Sequence, residues 1–275
     1  MTRVLARALD LRDGDLARTW PLAAYLFLVV ACHMLGRIAR DALFLDRFAP
    51  ADLPYADVAV AVLAAVCVAL YVKAGRRASL PRLQVASLCA FGAGIVFCWW
   101  GIHRSGWAWA RVLFYVGEGI AGVLAISQVW TLASFMLTTR QARRLFGIVG
   151  TGGILGGISG GFAARAIAKR WGADALLLTM LPLLPICAAL VVVAWRRRTG
   201  EAQRSASTPS FRVRDSIRLV SKQGHVRSIA LLVCLSAIVA TFAGWQLKAI
   251  AQETVGQKDA LAAYRGAVTG YTGLA

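Results

Sequence analysis

Charge is the first thing this chain is short of. Only 16% of its 275 residues are charged, where a soluble domain carries about 25%, and hydrophobic residues fill 59% of the positions. The mean hydropathy is +0.63. A single soluble core of this size could not hide so much apolar sequence, and the excess is gathered into long runs. Short segments of period two, the mark of an outer-membrane barrel, are missing as well. What remains is an all-α, polytopic membrane protein.

The groups that usually carry covalent chemistry are sparse too. The six cysteines (Cys32, Cys67, Cys89, Cys98, Cys187, Cys234) stand at unrelated spacings inside apolar runs, with no C-x-x-C pair. Neither zinc nor a disulfide framework is implied, and small core residues are the simplest reading. Of three histidines, His33 lies among apolar residues, where packing is expected, while His103 and His225 are expected in loops. No serine–histidine–acid or paired-carboxylate arrangement stands out. The expectation is no enzyme, no metal and no cofactor.

The apolar runs fall near 20–40, 55–72, 84–102, 107–137, 145–167, 174–195 and 228–250, and an eighth begins near 263. Each of the first seven is long enough to cross a hydrocarbon core of about 30 Å. The formal net charge of +18 is unevenly placed. Arg3, Arg7, Arg12 and Arg18 precede the first run, Lys73, Arg76, Arg77 and Arg82 follow the second, Arg140, Arg143 and Arg144 follow the fourth, and the segment from Arg196 to Arg227 holds the largest group. The alternate loops carry fewer cations: Arg47, Arg104, and the cluster Arg165, Lys169 and Arg170. That is the positive-inside pattern with a cytoplasmic N-terminus. Lipid is the partner it implies, and no nucleic acid, because no basic-aromatic motif accompanies the charge. The basic N-terminus and first run lack a cleavage site and read as an uncleaved span.

Three parts follow: a six-helix membrane bundle over 1–195, a basic cytoplasmic linker over 196–226, and the start of a second bundle over 227–275. Within the linker, Phe211, Ile217, Leu219 and Val220 alternate with Arg212, Arg214, Arg218 and Lys222, as in a surface amphipathic helix. Six spans, a basic linker and further spans is the layout of the major facilitator superfamily, whose two bundles are parallel repeats. The sequence stops within an apolar run and reads as a fragment, with further spans expected beyond it.

Ionisable residues inside spans cost about 2.5–3.5 kcal/mol on insertion scales, so each one asks for a reason. Arg37 and Asp41 are four apart and can pair on one helical face. Arg40 is a candidate anion contact through its planar fork. Aligning "GRIARDALFL" with "GWQLKAIAQE" sets Gly36 on Gly244 and Arg40 on Lys248, which makes Lys248 a second anion contact at the same depth in the other half, near the bilayer midplane. Glu118, between Gly117 and Gly119, is the best-isolated acid, and Arg111 seven residues earlier is its expected partner. The run "GIVGTGGILGGISGG" has no Walker A lysine, and Leu155 stands where a dinucleotide fingerprint needs glycine. It does fit overlapping G-x-x-x-G rows, Gly152/Gly156/Gly160 and Gly153/Gly157/Gly161, a helix-packing seam.

These residues resemble a family. "RIARDALFL" with "ADLPYA", then "SQVWTLASFMLTTRQARRLFGIVGTGGILGGISGG", is similar to the ATP/ADP translocase (nucleotide transporter) family, a branch of the major facilitator superfamily in plastids and bacteria. The likeness is most specific over Ser127–Gly161, including Ala142-Arg143-Arg144-Leu145-Phe146. It implies twelve spans, a bacterial inner membrane, and exchange of ATP, ADP or a similar small anionic solute. It places Arg37, Arg40 and Asp41 on the family's charged end of span one. Arg40 stands where the family has lysine and Ser134 where it has asparagine, so the chain looks closer to the bacterial relatives, some of which carry soluble domains after the membrane part.

Overall fold

The structure is a computed structural model that describes residues 15–75, 78–137, 139–197 and 224–274. Among the described residues every regular element is helical. They are α1 (Asp15–Leu45), a short 3-10 turn (Pro50–Asp52), α2 (Leu53–Gly75), α3 (Leu80–Ser105), α4 (Ala108–Met136), α5 (Thr139–Trp171), α6 (Ala175–Met180), α7 (Leu183–Arg196), α8 (Gly224–Val255) and α9 (Lys258–Thr272). Seven stretches are long and apolar enough to cross a membrane, and α6 and α7 together form one of them. The protein is therefore a multi-pass, all-α membrane protein, and its apolar helices meet lipid. The amphipathic helix expected around Phe211–Lys222, and most of the basic linker, lie outside the described residues.

Helix ends follow local chemistry. Pro81 sits in the first turn of α3, where a missing N–H costs nothing, and α3 stops at Gly106 with φ +59°. α5 stops at Gly172 with φ +82°, a left-handed conformation that glycine adopts without strain. The run expected over 174–195 is broken at Leu181–Pro182, because the Pro182 ring cannot sit inside a continuous helix without removing a hydrogen bond. Two other expectations shift. The last helix starts at Lys258, not near 263, and His103 and His225 lie in terminal turns of α3 and α8 rather than in loops.

α1 is the centre of the bundle. Leu22, Tyr25, Ile38 and Leu43 are fully buried on it, and α4, α5 and α7 pack around it. Hydrocarbon already surrounds these helices, so close van der Waals fit, not escape from water, holds them together. The glycines of α5 provide that fit. A Cβ at Gly152 or Gly156 would run into the carbonyls of Ala23 and Phe27, and one at Gly160 would lie 2.9 Å from the Ala31 Cα. Those α1 residues recur every fourth position, so backbone meets backbone along two turns. The second row divides. Gly153 and Gly157 face Leu26 and Val30 of α1, whereas Gly161 faces α9, 2.6 Å from the Gly270 nitrogen. Gly266 of α9 returns the contact against the Arg165 nitrogen. α5 is thus wedged between α1 and α9 with bare backbone on both sides.

α2 and α8 are the outlying helices. Only Leu53, Ala56 and Ala64 of α2 are buried. On α8 only Lys248 and Ala251 are buried, and Leu231, Leu232, Val239 and Phe242 are exposed. α8 joins the rest near its C-terminal end. There Trp245 Nε1 donates to the Pro50 carbonyl at 2.9 Å and Gln252 Nε2 to the Leu45 carbonyl at 3.0 Å. Beyond it, Lys258 Nζ meets Asp174 at 2.9 Å, and the Ala173 N–H donates to Asp259 at 2.7 Å. Burial opposes the Lys258 charge, but Asp174, Asp46 and Asp259 outweigh it and hold its ammonium above the usual lysine range. Among the cysteines, Cys32, Cys98 and Cys187 are core residues as expected, whereas Cys89 and Cys234 are exposed.

Candidate functional site

Asp41, on the last turns of α1, is fully buried, and three cations converge on it. Arg265 Nη2 of α9 lies 2.7 Å from Oδ2, and Lys248 Nζ of α8 lies 3.0 Å from Oδ1. Arg40 Nε lies 3.7 Å from Oδ1. All three are themselves buried. A buried carboxylate needs a paired charge, and one partner would suffice for balance. Three is an excess of positive charge around a single acid. Arg40 Nε and Arg265 Nη1 are buried without a hydrogen-bond partner, as are both Asp41 oxygens and Glu118 Oε2, so charge attraction rather than aligned hydrogen bonds holds the cluster.

Arg40 links this hub to a second acid. Its Nη1 lies 3.1 Å from Glu118 Oε2, while Glu118 Oε1 lies 2.6 Å from His33 Nδ1. His33 and Arg40 are seven apart on α1 and share a face, with Gly36 between them. A Cβ at Gly36 would lie 2.9 Å from Glu118 Cγ, so the bare backbone there gives the acid its seat. On α4, a Cβ at Gly122 would overlap the His33 imidazole, and one at Gly119 would lie 2.9 Å from Arg40 Nη1. Three glycines thus shape the space around His33, Glu118 and Arg40.

Tyr115 floors the cluster. Its hydroxyl donates to Asp57 at 2.8 Å and accepts from Lys248 at 3.3 Å. The Arg40 guanidinium sits 4.6 Å above its ring, a cation–π contact that lets a buried arginine keep its charge. Three carboxylates (Asp41, Asp57, Glu118) therefore stand against three cations (Arg40, Lys248, Arg265). With His33 neutral the group sums to zero.

Depth along the helices separates the two acids. The apolar stretch Thr19–Leu45 of α1 is centred on Cys32, so His33 is at mid-helix. Asp41 is nine residues beyond Cys32, about 13 Å at 1.5 Å per residue. Lys248 stands at a similar distance from the middle of Gly224–Val255. Arg40 and Lys248 do share a depth, but it is close to one end of the spans rather than at the midplane. The group nearest the middle of the spans is His33 with Glu118.

Other sequence expectations change in the same way. Arg37 is exposed and is not paired with Asp41, because Arg40, three residues on, takes the inward-facing side of α1. Arg111 is buried, but its Nη2 lies 3.5 Å from Asp46 Oδ2, and Glu118 is held by His33 and Arg40 instead. Seven residues on one helix do share a face, yet Arg111 meets Asp46 just past the end of α1, while Glu118 meets His33 and Arg40 within that helix. His33 does not simply pack, since it meets Glu118. Arg265, Tyr115 and Asp57 complete the site and were not singled out. Arg265 carries the same signal as Arg40, a lone cation in an apolar run.

Beside His33 and Glu118 lies a half-open cavity of about 360 Å³ lined by α1, α3, α4 and α7. Its walls are mostly apolar, and Gln128 and Ser87 stand at one end. Gln128 Nε2 donates to Ser87 Oγ at 2.9 Å, and Gln84 Nε2 donates to the Gln128 carbonyl at 2.8 Å. Among the described residues no group of histidine, cysteine and acid side chains is arranged to hold a metal ion. His33 and Glu118 line this cavity, and Glu118 also meets Arg40 of the hub. In comparisons with protein-family models, curated proteins and solved structures, the chain matches none.

Proposed function

We propose that the chain is a secondary transporter of the major-facilitator type that works by alternating access and exchanges ATP for ADP or a similar anionic nucleotide. The observation that carries this reading is the hub: one buried carboxylate shared by three buried cations, two of which come from helices beyond the linker. An incoming phosphate group offers several oxygens to the same guanidinium and ammonium donors. It would compete with Asp41 for Arg40, Lys248 and Arg265 and so loosen the contact between the two halves. α8 meets the first bundle only near one end, which is the arrangement of a carrier closed at one side. With the N-terminus in the cytoplasm of a bacterial inner membrane, the closed side is the outer one.

The nucleotide assignment rests on the resemblance over Ser127–Gly161 and on the chemistry of the cations. No covalent step is involved. The protein, reconstituted into liposomes preloaded with ADP and offered labelled ATP, should show uptake that depends on internal ADP and is lost in Arg40→Ala. Normal exchange by Arg40→Ala would remove the anion role from the hub. A second reading, a proton-coupled carrier of another solute, is favoured by the His33–Glu118 contact; flux that follows pH and ignores nucleotides would support it over exchange.

A further inference from the structure

Arg165, Lys169 and Arg170 stand at an end of the spans where the positive-inside pattern calls for few cations, and the hub does not use them. Arg165 and Lys169 are four apart on α5 and share a face. That face borders an open groove of about 480 Å³ between α5 and α9. The floor of the groove is alanine: Ala168 from α5, and Ala260, Ala263 and Ala267 from α9. Tyr264 lines it as well and is exposed, as is Trp171 at the end of α5, whose ring lies 5.4 Å from the Arg170 guanidinium. Exposed rings of this kind mark the depth of lipid headgroups. The nearby acids are engaged elsewhere. Asp174 holds Lys258 at 2.9 Å, and Asp259, which also borders the groove, accepts the Ala173 N–H at 2.7 Å. Among the described residues no carboxylate pairs with Arg165 or Lys169, and Arg165 Nη1 reaches the Tyr271 hydroxyl at 3.5 Å.

We propose that this groove binds an anionic membrane lipid, with the phosphate between Arg165 and Lys169 and an acyl chain over the alanine floor. A phosphodiester offers oxygens that accept from guanidinium and ammonium donors alike. Basic pockets between spans suit such headgroups. A soluble anion would use the two cations but leave the alanine floor empty, whereas a lipid fills both. The groove exists because α5 and α9 touch. A Cβ at Gly161 would lie 2.6 Å from the Gly270 nitrogen, and one at Gly266 would lie 2.6 Å from the Arg165 nitrogen. If the two helices part, the groove is lost, so a lipid seated in it favours the packed arrangement. α9 lies beyond the linker, and the lipid thus clamps the second part of the chain to the first. None of this depends on which solute the protein carries.

Delipidated protein in detergent, offered equal dioleoylphosphatidylglycerol and dioleoylphosphatidylcholine, should retain the phosphatidylglycerol in preference, read by native mass spectrometry. The double variant Arg165→Gln/Lys169→Gln should lower that preference about tenfold or more, and Lys169→Gln alone about threefold or more. Lys169 is exposed, so the single variant decides if the double one does not fold. Arg104→Gln, at an exposed cation that does not line the groove, should leave the preference unchanged. No preference in the native chain, or a native preference in both groove variants, overturns the site. An equal loss in Arg104→Gln would show general surface charge and overturns it as well. Glycerol 3-phosphate, a headgroup without chains, should not displace the lipid; displacement would make the groove a soluble-anion site and overturn the lipid assignment. Phosphatidylglycerol should also raise the thermal midpoint of the native chain and not that of the variants. Retention without that rise overturns the clamp.

Discussion

Replacing Asp41 by asparagine removes the one negative charge on which α1, α8 and α9 meet. The side chain is fully buried, with cations at 2.7, 3.0 and 3.7 Å. Removing one partner from a buried ion pair costs about 3–5 kcal/mol, because the other charge is left uncompensated. Here Lys248 and Arg265 lose their carboxylate, and both can recover hydration if α8 and α9 move away from α1. The penalty therefore falls on the closed arrangement rather than on folding. Taking the lower value, about 3 kcal/mol shifts the closed-to-open ratio about a hundredfold. Spin labels at Ala51 and Glu253, both exposed, report the separation of the 3-10 turn from α8 once the native cysteines are replaced. The expected result is a narrow short distance in the parent chain and a broad, longer distribution in Asp41→Asn. A distribution that stays short and narrow would show that the hub does not hold these helices together.

Other substitutions separate the remaining parts of the account. Gly156→Leu forces a side chain into the Phe27 carbonyl and should destabilise the bundle by about 1–3 kcal/mol or more, seen as a lower thermal midpoint in detergent. Gly147 meets nothing within 4 Å, so Gly147→Ala should stabilise by about 0.5–1 kcal/mol in the same assay. Tyr115→Phe removes the hydroxyl between Asp57 and Lys248 and should cost about 1 kcal/mol, with a smaller effect on the label distance than Asp41→Asn. Arg37→Ala, at an exposed position, should change stability by no more than about 0.5 kcal/mol and leave ATP binding intact.

Much of this was legible in the sequence, and the limits are instructive. Long apolar runs placed the spans because a helix in hydrocarbon must be long, continuous and apolar. The glycine rows were readable because spacing by four sets residues on one face. Which neighbour each row met was not, since Gly161 differs from Gly157 only in what lies opposite. Isolated charges in apolar runs pointed to Arg40, Asp41, Glu118 and Lys248, the rare residues that membrane burial makes conspicuous. Pairing was the part that failed. Spacing along one helix suggested Arg37 with Asp41 and Arg111 with Glu118, but partners from α8 and α9 lie more than two hundred residues away from Asp41. His33 reads in the sequence as packing because an imidazole among apolar residues gives no signal of its own until Glu118 is set against it.

The most direct test of the anion hub is equilibrium binding of ATP to the purified chain and to Asp41→Asn, with both shown to be folded and monodisperse. If the phosphates compete with Asp41 for Arg40, Lys248 and Arg265, removing the carboxylate should tighten ATP binding about tenfold or more, which is 1.4 kcal/mol. The gain should disappear when Arg265→Gln is added. Weaker binding or none in Asp41→Asn would mean that the three cations serve the acid alone, and would contradict the account.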